Sequence, residues 1–434
     1  MSVETADPVA ERVEKWLGGV PCGWAGARLF EIAQAWTSNV DKHAVEGQPC
    51  VRLCNYVDVY KNDSIVDSLD FMKATATREQ IKKFRIRLGD TLITKDSETA
   101  TDIGVPAFVE YEADDLICGY HLAIVRPDAR KAVPKYMYWV LASKPVARQW
   151  GVTAAGVTRV GIRSTDLNKV TIPLPPLDEQ RAITDFLDRE TAQTDALVAK
   201  QEELIGLLQE RRRMVVPSIL SKLTPDGLRP DKLHRRTRMG NGSTPRAGED
   251  RYWLDGDVPW LNSSVVNSPE VYEPSKFVTR AAVEECHLPM VSPGSLVVAL
   301  TGQGKTRGAA TILRIKSTIN QHLAFIEPDE RYWVPEYLLW IMRSKYEHLR
   351  RVSSENGATK GGLTVGDLRA LRVPMPDLEV QRHLVAELID ATSRIDALIA
   401  KAEEHIALAK ERRSALITAA VTGQIDVRTA RMAG

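Results

Sequence analysis

The sequence predicts an α+β fold: two mixed α/β domains, each followed by a long helix, with the two helices forming an antiparallel coiled coil in a pseudo-two-fold internal duplication. Three observations carry this reading. Segments recur at a constant offset of 201 residues. Each repeat closes on a run of about 40 residues whose apolar positions step by three and four. The stretches ahead of those runs mix short apolar strands with short amphipathic helices.

The duplication is plainest in the closing runs. Pro173 to Arg181 (PLPPLDEQR) returns as Pro374 to Arg382 (PMPDLEVQR), and Asp195 to Arg212 returns as Asp396 to Arg413. Across 173–216 and 374–417, 19 of 44 positions are identical without a gap. Upstream, Gly119 to Val125 faces Asn320 to Ile326, and Val133 to Trp139 faces Val334 to Trp340. Gly156 and Thr158 face Gly357 and Thr359. Leu88-Gly89-Asp90 faces Pro293-Gly294-Ser295 at an offset of 205, and residues before about 85 and about 290 look unrelated. The period far exceeds the roughly 20–50 residues of solenoid repeats, so these are two domain-sized copies.

The closing runs read as coiled-coil helices. In the first, Ile183, Leu187, Thr194, Leu197, Val198, Ile205 and Leu208 form a narrow stripe. In the second the stripe is Leu384, Leu388, Ile395, Leu398, Ile399, Ala402, Ile406 and Ala409. Proline followed by acid opens both (Pro176-Leu177-Asp178-Glu179 and Pro376-Asp377-Leu378-Glu379), and arginines close both, as the helix dipole favours. Pro217 and the loop Thr224-Pro225-Asp226-Gly227 are expected to stop the first helix, and Gly423 the second. The expected boundaries are 1–175, 176–222, 223–375, 376–422 and a tail at 423–434. Within the fronts, the segments DTLIT, LAIVRP, SLVVAL and LAFIEP read as strands, and KYMYWVLAS and EYLLWIMRS as helices.

Composition is that of a soluble globular protein, with 44% hydrophobic and 26% charged residues. No apolar run approaches the roughly 20 residues of a membrane span, and the polar, acidic amino terminus is no secretory signal. The five cysteines (Cys22, Cys50, Cys54, Cys118 and Cys286) include no CxxC pair, which fits reduced thiols in the cytoplasm. Cys50 and Cys54 with His43 lack an evident fourth ligand, so no metal is expected. Net charge is only +1. Residues 223–373 carry 21 basic and 17 acidic side chains, and the other segments are balanced or slightly acidic. A balance this even argues against a strongly basic nucleic-acid binder, so any DNA face must be a local patch or borrow charge from partners.

No catalytic constellation stands out. Ala299 to Thr306 (ALTGQGKT) fits a relaxed phosphate-loop pattern, but its first position is alanine and a turn and strand, not a long helix, are expected after it. There is no GxSxG elbow and no HExxH helix. His121 and His322 occupy equivalent positions without a repeating acid or nucleophile, so both are expected to be buried structural histidines.

Two divergent fronts, each closed by a PLPPLxEQ…DALVAKQEELIxLLxERR helix, resemble the specificity subunits of Type I restriction–modification enzymes. Ser38 to Asp63, the segment ITKDSETATDIGVPAFV, Gly242-Ser243-Thr244-Pro245, Tyr252-Trp253 and Val258-Pro259-Trp260 are similar to target-recognition domains of that family. The resemblance implies a cytoplasmic, non-catalytic protein whose two target-recognition domains, 1–175 and 223–375, each read half of an asymmetric, bipartite double-stranded DNA site. It implies that the spacer helices dock two modification (methyltransferase) subunits, and that restriction (translocase and nuclease) subunits join them. No cofactor is expected on this chain; S-adenosylmethionine and ATP would sit on the partners. The rival is a coiled-coil adaptor that binds proteins and ignores DNA.

Polar loop residues are the candidates for DNA contact, because base edges are read by hydrogen-bonding side chains. In the first domain they are Asn55, Tyr56, Lys61, Lys95, Ser97, Thr153 and Arg159. In the second they are Arg246, Asn262, Gln303, Lys305, Arg307 and Lys360. Removing one heptad from each helix shortens it by roughly 10 Å, about three base-pair steps. The recognised half-sites should then move together, as mapping of methylated sites in cells would report; unchanged spacing would refute a helical ruler.

Overall fold

The computed structural model describes residues 8–156, 158–222, 230–302, 305–355 and 362–430. The expected loop Thr224–Gly227 and residues Gln303, Gly304, Gly357, Thr359 and Lys360 lie outside the described residues. The chain forms two compact units, residues 1–202 with 403–434, and residues 203–402.

The first unit opens with helix α1 (Pro8–Leu17). Its front then supplies β1 (Ala33–Thr37), β2 (Cys50–Cys54), the short helix α2 (Tyr56–Tyr60), β3 (Ser64–Ile65) and β4 (Met72–Thr75). Next come β5 (Thr91–Thr94), β6 (Pro106–Val109), β7 (Leu116–Cys118) and β8 (Leu122–Pro127), then helices α3 (Pro134–Leu141) and α4 (Lys144–Thr153). Five strands make a sheet in the order β1-β8-β5-β6-β3, and three make a smaller sheet in the order β4-β2-β7. Leu122 pairs with Thr94 and Ile124 with Leu92 in the antiparallel centre of the larger sheet. Those central positions are fully buried because α3 covers one face and the smaller sheet's core lies on the other.

Long helix α5 (Leu177–Ser221) leads into the second unit. Its front supplies β9 (Thr237–Asn241), β10 (Val258–Leu261), β11 (Glu270–Val271), β12 (Lys276–Val278), β13 (Leu296–Ala299), β14 (Ala310–Leu313), β15 (Thr318–Ile319) and β16 (Leu323–Pro328). Helix α6 (Pro335–Ser344) follows, and long helix α7 (Leu378–Val421) closes the repeat. The sheets run β9-β16-β13-β14-β11 and β12-β10-β15, the same topology as in the first unit. The fronts, expected to be unrelated, therefore share one fold. The 201-residue offset slips to 205 at β5 and β13, and a sheet tolerates sequence change wherever apolar alternation persists. All four expected strands and both short helices are present.

A buried glutamine sets each long helix on its domain. Gln180 is 0% exposed; its Oε1 accepts from Val133 N at 2.8 Å, and its Nε2 donates to Pro175 O at 2.9 Å and Lys131 O at 3.2 Å. Gln381 repeats this with Val334 N, Pro376 O and Tyr332 O, each at 2.8 Å. Tyr136 and Tyr337 donate to the carbonyls of Pro173 and Pro374 in the same way.

The long helices run antiparallel within each unit. In the first, Asp195 meets Arg413 at 3.1 Å while Asp178, earlier in α5, lies 3.5 Å from Arg428, later in the chain. In the second, Arg212 meets Asp396 at 2.7 Å and Lys222 meets Glu387 at 2.5 Å. The Arg212 and Arg413 pairs are images of each other under the duplication.

Two expectations about the helices need correction. The α5 stripe that is turned from solvent follows Leu187, Thr191, Thr194, Val198, Gln201, Ile205 and Leu208, in alternating steps of four and three. Leu197 and its counterpart Leu398 fall one position off that phase and are 49% and 52% exposed. Pro217 does not stop α5, which continues to Ser221. The four residues beyond it include Ile219 and Leu220, buried in the second unit's core. At about 1.5–3 kcal/mol each, their burial offsets the roughly 3 kcal/mol cost of an interior proline. Gly423, at φ +72°, does follow the end of α7.

Two measurements test this packing. Gln180→Leu strands an amide and two carbonyls, and should cost about 2–4 kcal/mol in urea unfolding, against about 0.5 kcal/mol or less for exposed Gln193→Leu. In the second unit, hydrogen bonds from Arg314 and Tyr272 hold the Glu270 carboxyl down to about 2 from its ordinary 4.5. A depressed carboxylate stabilises the fold above its ordinary pKa, and that contribution is lost as pH falls from 4.5 towards about 2. Glu270→Gln should flatten the stability curve in that window; an unchanged slope would show that the pair contributes nothing.

Candidate nucleic-acid interface

In the first unit Asn55, Tyr56, Lys95 and Arg159 gather where β2 and β5 end and β8 begins, while Lys61 and Thr153 lie at the ends of α2 and α4. Gly119 N donates to Cys54 O at 2.9 Å, and a Cβ on Gly119 would sit 2.8 Å from that carbonyl, so a side chain here would force the two strands to shift. Asn55 follows with extended backbone and caps α2, its amide donating to Asp58 Oδ2 at 2.7 Å. Tyr56 opens the helix and stacks on Tyr60 at 5.3 Å. Tyr60 in turn donates its hydroxyl to Asp102 Oδ2 at 2.7 Å. After β5, Lys95 N donates to His121 O at 3.0 Å, and the lysine ammonium stands 4.1 Å from the centre of the Tyr120 ring. His121 Nδ1 meets Asp96 Oδ2 at 2.8 Å.

Electrostatics keep this cluster mixed in sign. Burial, reinforced by Asp102 and opposed by Arg159, raises the Tyr56 phenol, which is therefore a neutral hydrogen-bonding group at neutral pH. Arg159 is exposed beside it. Lys61 is exposed at the end of α2. Thr153 closes α4, its hydroxyl donating back to Gln149 O and Trp150 O at 3.2 and 3.1 Å. Ser97 is only 3% exposed and accepts from Thr99 N, so it braces the loop from within and is removed from the surface.

The second unit builds the same corner from different side chains. Asn262 follows β10 with nearly the backbone angles of Asn55, and caps the next turn through Oδ1, which accepts from Ser264 N at 2.9 Å. Asn320 N donates to Leu261 O at 2.9 Å, as Gly119 does to Cys54. A polar row crosses the corner: Thr244 bonds Gln321, Gln321 Nε2 lies 3.3 Å from His322 Nε2, and His322 Nδ1 lies 2.8 Å from Thr301 Oγ1. Thr301 and Asp96 are related by the 205-residue offset of their strands, so the two histidines bond equivalent loop positions. Arg246 is exposed and its carbonyl accepts from Trp253 Nε1 at 3.1 Å. Lys305 is exposed with its carbonyl held by Tyr346, and Arg307 is half-buried nearby in sequence.

His121 and His322 are each hydrogen-bonded, but, against the expectation, they are not buried. The His121 side chain is 42% exposed and His322 is exposed, because both precede their strands in open turns. The phosphate-loop rival also has no support in the geometry, since β14 follows Lys305 where a phosphate loop requires a helix N-terminus. Among the described residues, no group of three or more His, Cys, Asp and Glu side chains could hold a metal. Cys54 and Cys118 are buried, and burial pushes both thiols well up. No described helix is long and apolar enough to cross a membrane.

Sequence reasoning missed Tyr60, Asp96, Asp102 and Tyr120 in the first corner, and Thr244, Thr301 and Gln321 in the second. The shared 205-residue offset could have brought in Asp96 and Thr301. The others depend on loops meeting in space.

Each unit thus presents an exposed corner of donors and acceptors on an invariant frame, which suits recognition more than reaction. The chain belongs to the Type I restriction modification DNA specificity domain family, whose model matches residues 55–206 and 238–407. It is similar to a putative type I restriction enzyme MjaX specificity subunit of Methanocaldococcus jannaschii, at 23% identity over 95% of this chain and 96% of that one. It is 21% identical to the EcoR124I/EcoR124II specificity subunit of Escherichia coli, over 61% of this chain and 64% of that one. Its fold is similar to a chain solved for complex assembly and conformational transition of the type I R-M system, with a TM-score of 0.68, 19% identity and coverage of 94% and 99%. It is also similar to the HsdS subunit of Thermoanaerobacter tengcongensis, with a TM-score of 0.55, 20% identity and coverage of 94% and 98%.

Proposed function

We propose that this chain is the DNA-specificity subunit of a Type I restriction–modification complex and reads an asymmetric, bipartite duplex site. The observation that carries this reading is one frame used twice with different polar corners. The hydrogen bonds that seat each helix recur, whereas Asp96 and Tyr120 give way to Thr301 and Gln321, and Lys95 to Leu300. Base edges are discriminated by donor and acceptor pattern, so two unlike corners read two unlike half-sites.

In this reading Asn55, Tyr56, Lys61, Lys95, Thr153 and Arg159 face one half-site, and Arg246, Asn262, Gln303, Lys305, Arg307 and Lys360 the other. The chain itself performs no chemistry. Two modification subunits bring S-adenosylmethionine, and restriction subunits bring ATP-driven translocation and cleavage. A second apolar row on α5, comprising Leu197, Leu204, Leu207 and Met214 at 42–65% exposure, supports docking of a modification subunit there. Leu398 and Leu408 offer part of the same row on α7.

Gel shifts with co-expressed modification subunits should give a sequence-specific complex; purely sequence-blind, salt-sensitive binding would count against the proposal. Asn262→Asp keeps the oxygen that caps the turn but exchanges an amide donor for an anionic acceptor. Its thermal stability should stay near that of the unaltered protein, while affinity for the cognate duplex falls about tenfold or more and preference shifts at one base of one half-site.

A further inference from the structure

The first unit carries a basic cleft of about 850 Å³ between α1, α4, the loop at Ala100-Thr101 and Thr418 of α7. Its cations are Lys15, Lys144 and Arg148; Trp16 and Val152 supply apolar wall, and no lining residue is acidic. Among the described residues, none of the three cations has a carboxylate within ion-pair distance.

The fold gains nothing from the two cations on α4, although Lys15, in the last turn of α1, suits that helix's dipole. Lys144 is the first residue of α4, where the helix dipole disfavours a cation. Arg148 lies four residues on, so two like charges share one helical face. Lys15 stands 5.3 Å from the Trp16 ring centre, a weak contact at an exposed site. The α4 pair is therefore unfavourable until an anion arrives.

The cleft also adjoins the proposed reading corner. One loop, Asp96 to Asp102, serves both. Asp96 and Asp102 hold His121 and Tyr60 on the corner side. Ala100 and Thr101 line the cleft, where Ala100 O packs so closely on α4 that a Cβ on Gly151 would lie 2.5 Å from it.

We propose that this cleft seats the phosphate backbone of the duplex flanking the first half-site, through Lys15, Lys144 and Arg148. The inference rests on the DNA-reading function proposed above. It also answers the net charge of +1: affinity needs only a local cationic track beside each reading corner, and this one continues directly from the loop that holds the corner. An acidic protein segment is the other anion that could fit, and adjacency to the reading loop favours the duplex.

The test uses the full chain with its modification subunits, a short duplex carrying the host's mapped methylation motif, and a scrambled duplex, titrated across salt concentrations. The triple variant Lys15→Ala, Lys144→Ala, Arg148→Ala should weaken binding to both duplexes about equally and leave the methylated motif unchanged. The slope of log affinity against log salt should become shallower by about 2.7, at about 0.9 per phosphate contact. The charge-reversed pair Lys144→Glu, Arg148→Glu should weaken binding further, with thermal melts confirming that both variants are folded. An unchanged salt slope overturns the cleft assignment, as does a loss confined to the cognate duplex. Weaker assembly with the modification subunits at an unchanged DNA slope also overturns it, in favour of an acidic protein segment. Absence of sequence preference in the unaltered complex is a separate result that refutes the proposed function, and the salt slope still judges the cleft.

Discussion

Everything above the long helices depends on two buried glutamines. The chain enters each helix through a proline-rich strand end, which offers carbonyls and few amides. Gln180 and Gln381 satisfy what the prolines leave open, and do so with groups from the preceding domain. A leucine of similar size would fill the volume and orphan three backbone groups. The glutamine therefore decides where the helix axis leaves the domain. The adjacent tyrosine-to-proline bond fixes the same junction from the other side.

From that junction outward the two units divide their residues by task. Positions that set geometry are the same in both copies: the glutamine, the tyrosine, and the arginine–aspartate pair between the helices. At the corner Asp96 and Tyr120 become Thr301 and Gln321, while the capping asparagine and the histidine stay. The frame is not perfectly symmetric, however. Trp139 donates to Asp188 on α5 at 2.9 Å, while the matched pair in the second unit is Trp340 and the exposed Ile389. Arg413 reaches Asp63 as well as Asp195, and packs over Trp139. Its image Arg212 has no carboxylate at the corresponding front position, where Arg343 instead donates to Pro269 O. The first domain is thus tied to its helices by two polar links for which the second has no equivalent among the described residues.

Much of this was legible from sequence because it is periodic. The 201-residue offset, the heptads and the strand alternation are regularities of spacing, and spacing survives substitution. The failures share a cause, which is tertiary packing overriding a local rule. Pro217 breaks a hydrogen bond near the helix end, but burial of Ile219 and Leu220 pulls the chain through another turn. Leu197 is as apolar as Val198, and only the partner helix decides which one faces inward. The shared front topology was hidden because strands of two to five residues carry little identity once their loops change length. The corner was legible in part: Asn55 and Asn262 were singled out from residue type alone, and both prove to cap the turn after equivalent strands. Tyr120 and Gln321 were not, since nothing local marks a turn residue that matters only when three loops meet.

A near-neutral chain is a reasonable solution for a protein whose proposed task is discrimination. Phosphate attraction is blind to sequence, so a strongly basic surface strengthens binding to every competing site as much as to the right one. Hydrogen-bonding corners of mixed sign, such as Lys95 beside Asp96 or Gln321 beside His322, add little affinity without a matching base edge, because unmatched polar groups lose their water for nothing. Affinity can then be supplied separately, by a local cationic track and by partner subunits. The balance of 58 basic and 57 acidic residues follows from that separation, with specificity held in the corners and attraction kept outside them.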